Sequence, residues 1–278
     1  MSARMLSPAL RDDYLALLDG WPLRHDRRTI DTCEGETFVL SCGRTDAPPL
    51  VLLHGALTNA ASWLFDAEIW SRDFRVHVVD VIGEPGLSAP SHPPLDSDGW
   101  AAWLDDVLDG LGVTSAAFVG MSFGGWIALD YACRRPTRVS RLALLCPSGI
   151  GPQKAFLWKA LPLLLLGSWG AAKVRAMVMG PSPKASTPQA RRLLDFLQRV
   201  RTGVRPRPMR LPIVSDEALS ALPMPLLVIV GGRDVMLDSR VTRQRVMTRV
   251  PRGRVHFVED GRHYLPHQAG TIQAFLHE

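Results

Sequence analysis

Short runs of valine, isoleucine and leucine recur along the chain, and turn residues bound each of them. Continuous apolar runs of this length are typical of strands that are covered on both faces. The runs are TFVLSC (37–42), PLVLLHG (49–55), RVHVVDV (75–81), AAFVGM (116–121), RLALLCP (141–147), PLLVIVG (225–231) and RVHFVED (254–260). They predict the strands of a mostly parallel sheet.

Helical patterns lie between many of these runs. Residues 98–112 place apolar side chains at helical spacing and end at a glycine, and residues 124–136 do the same and stop at a proline. The first twenty residues indicate a short amphipathic helix. Because strands and helices alternate, the pattern predicts a doubly wound α/β fold.

Residues 148–222 break the alternation, because they contain no convincing strand. They hold apolar helical segments followed by the loop-like stretch RTGVRPRPMRLP (201–212). A simple crossover needs far fewer residues, so the length favours a helical lid inserted between core segments 1–147 and 223–278. A set of ordinary covering helices is the alternative. Most apolar lid side chains are expected to pack on the core, and some to line a substrate pocket.

Composition and the apolar windows indicate the size of the domain and the compartment of the protein. The 278 residues are 46% hydrophobic, which is enough for one large α/β domain or two small ones. The N-terminus is interrupted by aspartates and lacks the apolar core of a signal peptide. The most apolar window, 156–172, is short for a membrane span and contains Lys159 and Pro162. The four cysteines form no C-x-x-C pair, so a soluble cytoplasmic protein with reduced, mostly buried thiols is expected.

The formal net charge of +5 comes largely from arginine, which clusters in one region. The cluster comprises Arg191, Arg192, Arg199, Arg201, Arg205, Arg207 and Arg210. No nucleic-acid-binding motif accompanies it, and aromatic residues are not interleaved with it. The pattern therefore favours a solvated helix face, and no nucleic-acid partner is expected.

One glycine-flanked serine carries candidate chemistry. Gly120-Met121-Ser122-Phe123-Gly124 follows a predicted strand and begins a predicted helix. That context turns a G-x-S-x-G match into a nucleophile elbow, in which a sharp turn exposes the serine hydroxyl. The string alone arises by chance in about one chain in ten of this length. Other residues of a catalytic site must therefore show whether Ser122 is a nucleophile.

Two residues downstream fit the partners that a nucleophilic serine needs. Asp234 follows the run at 225–231, and His263 follows the run at 254–260. Open α/β sheets carry their sites at the carboxyl ends of the strands, so both residues are expected beside Ser122. Histidine serves as the base and aspartate orients it, which predicts a Ser122–His263–Asp234 triad.

The stretch LLHGALT (52–58) completes the predicted site. It follows its own strand and would turn back over the sheet near the nucleophile. The backbone N–H groups of Ala56 and Phe123 would then form an oxyanion hole. Such donors stabilise developing negative charge from fixed positions.

Taken in order, LLHGALT, GMSFGG, GGRDVMLD and EDGRHYLP resemble the α/β-hydrolase superfamily, in particular its lid-bearing esterase and lipase-like branch. The resemblance covers nearly everything from about residue 37 onward. It implies the α/β-hydrolase fold and a serine hydrolase that cleaves carboxylic esters through an acyl-enzyme intermediate. The apolar composition of the lid suggests that these esters are apolar and small to medium in size. The resemblance implies no cofactor and no metal, and it makes His54 a brace for its loop.

One stretch departs from the family pattern. Many relatives carry D-x-x-G-x-G-x-S after the strand that ends near Asp80, whereas this chain has DVIGEPGLSAP (80–90). One more residue separates Gly83 from Gly86 than in that pattern. The loop usually shapes the core near the site without taking part in the chemistry.

Several alternatives to these roles stay open. His267 would form a metal pair with His263, although no H-E-x-x-H string supports it. Asp238 competes with Asp234 but suits the cap of a helix beginning near Ser239. Cys146 lies in an apolar strand end, which favours a buried thiol over a nucleophile.

The same triad also serves other reactions. They are carbon–carbon bond hydrolysis, amide or N-terminal proline cleavage, thioester hydrolysis and cofactor-free peracid formation. A non-catalytic ligand-binding member of the fold is a further alternative. Relatives with an aspartate nucleophile are excluded, because the elbow carries Ser122.

Overall fold

Eight strands form a single sheet in a computed structural model that describes residues 5–278, apart from 157–159, 161, 164, 181–186, 205, 206, 208 and the side chain of residue 168. The strands are β1 (His25–Ile30), β2 (Thr37–Cys42), β3 (Pro49–Leu53), β4 (Arg75–Val79), β5 (Ala116–Met121), β6 (Val139–Leu145), β7 (Leu226–Gly231) and β8 (Gly253–Val258). Their order is β1-β2-β4-β3-β5-β6-β7-β8. Strand β2 runs antiparallel to both neighbours, and the other pairs are parallel. The predicted mostly parallel sheet is confirmed.

Strand β1 has no counterpart among the predicted runs. Its sequence is HDRRTI, and only Ile30 of it is buried. The strand lies at the edge of the sheet and pairs with β2 alone. Charged side chains are common on edge strands, because they discourage pairing with other chains. An apolar pattern therefore cannot reveal this strand.

Helices cover both faces of the sheet. Those with defined bounds are α1 (Pro8–Asp19), α2 (Leu64–Trp70), α3 (Gly99–Leu111), α4 (Phe123–Arg134), α5 (Gly167–Met179), α6 (Pro188–Gly203), α7 (Asp216–Ser220), α8 (Ser239–Arg249) and α9 (Ala269–Leu276). Local signals set several ends. The Asp238 carboxylate accepts from the first free N–H groups of α8, and such a cap stabilises a helix by about 1 kcal/mol. Helix α3 ends at Gly112, which adopts a left-handed conformation with φ of 70°.

The core is divided by the sheet into two clusters. On one face the Trp100 ring of α3 contacts Trp103, Phe123 and Trp126, and Trp126 stacks on Phe123 in α4. On the other face the helices α1, α2, α6 and α9 cover β2, β3 and β4. Because both faces are covered, every residue of β2 is buried, which explains its unbroken apolar sequence.

The described part of the chain between β6 and β7 contains the helices α5, α6 and α7 and no named strand. An isolated bridge joins Gln153 to Leu237, outside the named strands. Helix α6 packs on α1, and the rings of Phe196 and Tyr14 stack at 5.4 Å. The 148–222 boundaries of the lid stay a prediction.

Not all apolar side chains of this segment pack on the core. Leu165, Leu166 and Trp169 are exposed, whereas Phe156 is buried. Others from the same apolar stretch, Leu157, Trp158, Leu161 and Leu164, lie outside the described residues. In the parts of the chain that the structure describes, no helix is both long and apolar enough to cross a membrane.

The cysteines and the arginine cluster differ in part from expectation. All four cysteines are free; Cys42 and Cys146 are buried, but Cys33 is exposed. In the cluster, Arg191, Arg192 and Arg199 lie on an exposed face of α6, whereas Arg205 lies outside the described residues. Arg201 is only partly exposed and, like Arg191, lines a cavity, so a fully solvated face is the wrong interpretation for Arg201.

Candidate active site

Ser122 occupies a strained turn between β5 and α4. Its φ of 52° and ψ of −108° are unusual for a residue with a side chain, and such backbone strain costs of order 1–3 kcal/mol. The turn also brings backbones very close together. A methyl group added at Gly120 would lie 2.6 Å from the carbonyl oxygen of Gly124, and one added at Gly124 would lie 2.3 Å from that of Leu53. Both flanking positions therefore require glycine.

The structure brings Ser122, His263 and Asp234 into one hydrogen-bonded chain. The Ser122 hydroxyl donates to His263 Nε2 at 2.8 Å. His263 Nδ1–H donates to Asp234 Oδ2, also at 2.8 Å. The three residues follow the carboxyl ends of β5, β8 and β7. This geometry can transfer the serine proton to the imidazole.

The Asp234 carboxylate is buried at 2% exposure and is held by several donors. Burial favours its neutral form, but hydrogen bonding to His263 and the backbone N–H groups of Met236 and Leu237 outweighs burial and lowers its pKa. Those N–H groups donate to Oδ1 at 2.7 and 3.1 Å. Asp234 is therefore ionised at neutral pH and can stabilise a charged imidazole. Its competitor Asp238 caps α8, as predicted.

The loop that carries His263 is attached to α5. The His263 N–H donates to the carbonyl of Val178 at 3.1 Å. The guanidinium of Arg262 donates to the carbonyl of Met177 at 2.9 Å. These carbonyls belong to the last turn of α5, where no intrahelical donor remains for them. The position of the imidazole thus depends on a helix of the segment between β6 and β7.

The chain segments that carry the two expected oxyanion donors meet at Ser122. A methyl group added at Gly55 would lie 3.6 Å from Ser122 Cβ, which places the chain neighbour of Ala56 beside the nucleophile. Phe123 is the first residue of α4, where an N–H group has no acceptor within its own helix. Both positions are consistent with the sequence prediction.

His54 braces this loop, as the family resemblance implied. It is fully buried; its Nδ1–H donates to the Gly55 carbonyl at 2.8 Å, and its Nε2 accepts from the Val81 N–H at 2.9 Å. Burial lowers the His54 pKa to about 4, although the bond to Gly55 opposes this shift. The ring is therefore neutral, with its proton on Nδ1.

The stretch 80–90 holds the same loop from the other side. Asp80 accepts from the N–H groups of Ala60 at 2.7 Å and of Leu87 at 2.8 Å. The Glu84 carboxylate accepts from the N–H of Leu57 at 2.7 Å. Sequence reasoning missed Glu84, because a bond from a side chain to a backbone 27 residues away leaves no local pattern.

A cavity of about 540 Å³ lies near the triad, although no residue of the triad lines it, and its volume is within the range of small-molecule sites. Its inner wall includes Met121 and Tyr264, the chain neighbours of Ser122 and His263. Its outer wall includes Ala176 of α5 and Arg201 of α6. Burial lowers the pKa of Arg201. The segment between β6 and β7 thus forms part of the wall.

Cys146 completes the surroundings of the triad. Among the described residues, Sγ of Cys146 and ligand atoms of Asp234 and His263 lie within 4.8 Å of one another. Burial and the nearby Asp234 raise the pKa of the Cys146 thiol well above its ordinary value, whereas a metal ligand must be a thiolate. Both imidazole nitrogens are engaged in the proton relay. His267 is exposed and is not a member of this group.

These features define a class of protein. A sequence profile described as the alpha/beta hydrolase family matches residues 50–273, and the chain belongs to this family.

Individual relatives narrow the comparison. The chain is 28% identical over 260 residues to carboxylesterase YbfK of Bacillus subtilis, covering 91% of this chain and 86% of that protein. It is 29% identical to the crystal structure of naproxen esterase from Bacillus subtilis, with a TM-score of 0.82 and 98% of each chain covered. It is 32% identical over 213 residues to the pimeloyl-[acyl-carrier protein] methyl ester esterase of Vibrio campbellii, covering 70% of this chain and 79% of that protein.

Proposed function

We propose that the protein is a serine carboxylesterase for small to medium apolar esters, with Ser122 as nucleophile, His263 as base and Asp234 as orienting acid. The observation that carries the proposal is the chain of two 2.8 Å hydrogen bonds from Ser122 through His263 to Asp234. The cavity near the triad and the similarity to two Bacillus subtilis carboxylesterases over most of the chain support it.

In the first half-reaction Ser122 Oγ attacks the ester carbonyl carbon while His263 Nε2 takes its proton. The carbonyl electron pair moves onto oxygen, where the N–H groups of Ala56 and Phe123 stabilise the charge. Asp234 stabilises the charged imidazole. The carbon–oxygen bond to the alcohol then breaks, and the alcohol leaves with the proton from His263.

In the second half-reaction water attacks the acyl-enzyme. His263 takes a proton from this water, and the same two N–H groups stabilise the second tetrahedral oxyanion. The bond between the acyl carbon and Ser122 Oγ breaks, and the proton returns from His263 to Ser122. The free acid leaves, and the hydroxyl group of the serine is restored.

Ester cleavage is favoured over the other reactions of the same triad, because the similarity to carboxylesterases extends over more of the chain. The chain matches the carboxylesterases over about nine tenths of its length. Its 35% identity to a 2-hydroxymuconate semialdehyde hydrolase of Pseudomonas, by contrast, spans only 37% of the chain.

Ser122→Ala is expected to lower kcat on nitrophenyl esters by about 10³-fold or more, because it removes the nucleophile. Turnover of the acetate, butyrate and octanoate esters measures the effect. Ser220→Ala, on the surface helix α7, is the matched control and should behave as the wild type. Full activity of Ser122→Ala, or a native protein that a fluorophosphonate probe does not label, would contradict the proposal.

A further inference from the structure

Glu84 is a fully buried carboxylate in the loop between β4 and α3. Buried acids are rare, because removing a carboxylate from water is unfavourable unless it is paired. The Glu84 side chain accepts from the N–H of Leu57 at 2.7 Å. Leu57 itself has a φ of 59°, a left-handed conformation that is uncommon for a residue other than glycine. An external partner is needed to hold such a conformation.

The bond lies one residue from the expected oxyanion donor. The Gly55 carbonyl and the Ala56 N–H belong to one planar peptide group, and the His54 ring holds that carbonyl. The next planar group ends in the Leu57 N–H, which Glu84 holds. Ala56 is thus fixed between two peptide planes, each held by a buried side chain. Together these bonds determine where the Ala56 N–H points.

The departure from the D-x-x-G-x-G-x-S pattern supplies this side chain. The extra residue lies between Gly83 and Gly86, the interval that contains Glu84. Backbone bonds hold the turn: the Glu84 N–H donates to the Val81 carbonyl at 3.2 Å, and the Gly86 N–H donates to the Glu84 carbonyl at 2.8 Å. The carboxylate therefore reaches the oxyanion loop from a rigid support.

We propose that Glu84 is a positioning residue of the oxyanion hole, which holds the Ala56–Leu57 peptide so that the Ala56 N–H faces the tetrahedral oxyanion. This inference rests on the proposed esterase function. The accepting oxygen of Glu84 performs the task, and a negative charge is not required for it, because a charge so near would oppose an oxyanion. A glutamine, which also presents an accepting oxygen, should therefore replace it.

Three variants separate these contributions. Glu84→Ala removes the acceptor, and Glu84→Asp keeps the charge but shortens its reach by one methylene. Glu84→Gln keeps the reach and the acceptor without the charge. Ser88→Ala is the matched control, because Ser88 is buried in the same loop but bonds to Phe38 N–H and the Asp80 carbonyl, away from the oxyanion loop.

We expect Glu84→Ala and Glu84→Asp to lower kcat on nitrophenyl butyrate by about 10- to 100-fold with KM within about 3-fold, somewhat less than the loss of a whole oxyanion donor. Glu84→Gln should stay within about 3-fold of the wild type. Ser88→Ala should lose thermal stability but retain kcat. If Glu84→Ala does not fold, the kcat of Glu84→Asp compared with that of Glu84→Gln tests the proposal.

A second measurement tests the oxyanion directly. Ser122 Oγ adds to a trifluoromethyl ketone, the proton moves to His263, and the carbonyl oxygen becomes an oxyanion. The matching methyl ketone serves as the reference, because its carbonyl group forms little adduct and therefore little oxyanion. Competition of each ketone with fluorophosphonate labelling gives both affinities without ester turnover. Glu84→Ala should lower the affinity for the trifluoromethyl ketone by a factor at least 10 times larger than that for the methyl ketone.

Equal losses for both ketones, or a kcat of Glu84→Ala within 2-fold of the wild type, would overturn the inference and leave Glu84 a structural residue. A wild type that is labelled but cleaves no ester would refute the esterase function alone, because the ketone ratio still reports on Glu84. A wild type that is neither labelled nor inhibited would refute both.

Discussion

At the scale of single residues, the space around Ser122 decides which sequences can form the site. Its hydroxyl reaches His263 because the chain turns within a strained conformation, and the turn closes only if Gly120 and Gly124 lack side chains. The G-x-S-x-G motif thus reflects close backbone contacts around the turn as well as the presence of a nucleophile. Its glycines can be tested apart from its chemistry.

Gly124→Ala is expected to lower both Tm and kcat. The added methyl group would lie 2.3 and 2.4 Å from the carbonyl oxygens of Leu53 and His54, and these backbone atoms adjoin the oxyanion loop. Displacing them should lower Tm by several degrees and kcat by about 10-fold or more, and overpacking of this kind typically costs 1–3 kcal/mol. Thermal unfolding and turnover of nitrophenyl butyrate measure the two effects.

Gly270→Ala is the control for that substitution. Gly270 lies in α9, and nothing lies within 4 Å of the position that its new methyl group would take. The exchange should leave kcat unchanged and raise stability by up to about 1 kcal/mol, because alanine favours a helix. A Gly124→Ala protein with the Tm and kcat of the wild type would refute the close-contact explanation.

At the scale of elements, β4 carries a buried histidine that makes stability depend on pH. His77 is 5% exposed, and its Nδ1 accepts from the Ser41 hydroxyl of β2 at 2.8 Å. Burial, and then the charges of Arg75 and Arg28, lower its pKa to about 4. The unfolded chain binds a proton at this residue below about pH 6.5, whereas the folded chain does so only near pH 4.

His77→Gln is expected to reduce the loss of stability in acid. In the wild type the contribution of His77 is lost as the pH falls from 6.5 to 4. Between pH 7 and pH 4.5 the free energy of unfolding of the variant should fall by about 2 kcal/mol less than that of the wild type. Urea denaturation at both pH values measures this difference.

The comparison between pH 7 and pH 8.5 serves as the internal control, because His77 is neutral in both states there. The difference in the free energy of unfolding between the two proteins should not change over that interval. A variant whose stability declines in acid as steeply as that of the wild type would contradict the role of His77.

What the sequence predicts at this scale depends on burial. Strands such as β2 and β7 are covered on both faces and appear as apolar runs, whereas the polar edge strand β1 does not. Ser122 and Asp234 could be predicted because each follows such a run. His263 follows the edge strand β8, which has no buried residue but still carries an apolar pattern. Glu84 and Arg201 could not, because a bond across the fold and a place in a cavity wall depend on tertiary packing.

At the scale of the whole molecule, the cavity is shared by the core and by the segment between β6 and β7. Met121 and Tyr264 come from the core, and Ala176 comes from α5. The same helix accepts hydrogen bonds from the loop of His263. A substrate held in this cavity therefore contacts an element that also positions the base.

Ala176→Trp is expected to narrow the range of substrates. Ala176 lines the cavity although it is exposed to solvent, so an indole there would narrow the cavity, and kcat/KM for nitrophenyl octanoate should fall by about 10-fold or more, as expected for a steric clash in a binding pocket. The value for the acetate ester should stay within about 3-fold. Steady-state kinetics on both esters give the ratio.

Ala171→Trp is the matched control, because Ala171 is exposed on the same helix and is not among the residues that line the cavity. It should leave the ratio of octanoate to acetate turnover unchanged. An unaltered ratio in Ala176→Trp would show that the acyl group of the substrate binds elsewhere.

The bond between Ser122 and His263 joins positions 141 residues apart in the chain. Contacts of such long sequence separation form slowly, because a large loop must close first. The base follows β8, which comes three strands after β5 and the nucleophile in chain order. Hydrolysis therefore requires that the chain has been made through His263 and that this loop has closed, because a nascent chain that ends before β8 carries the elbow but no base.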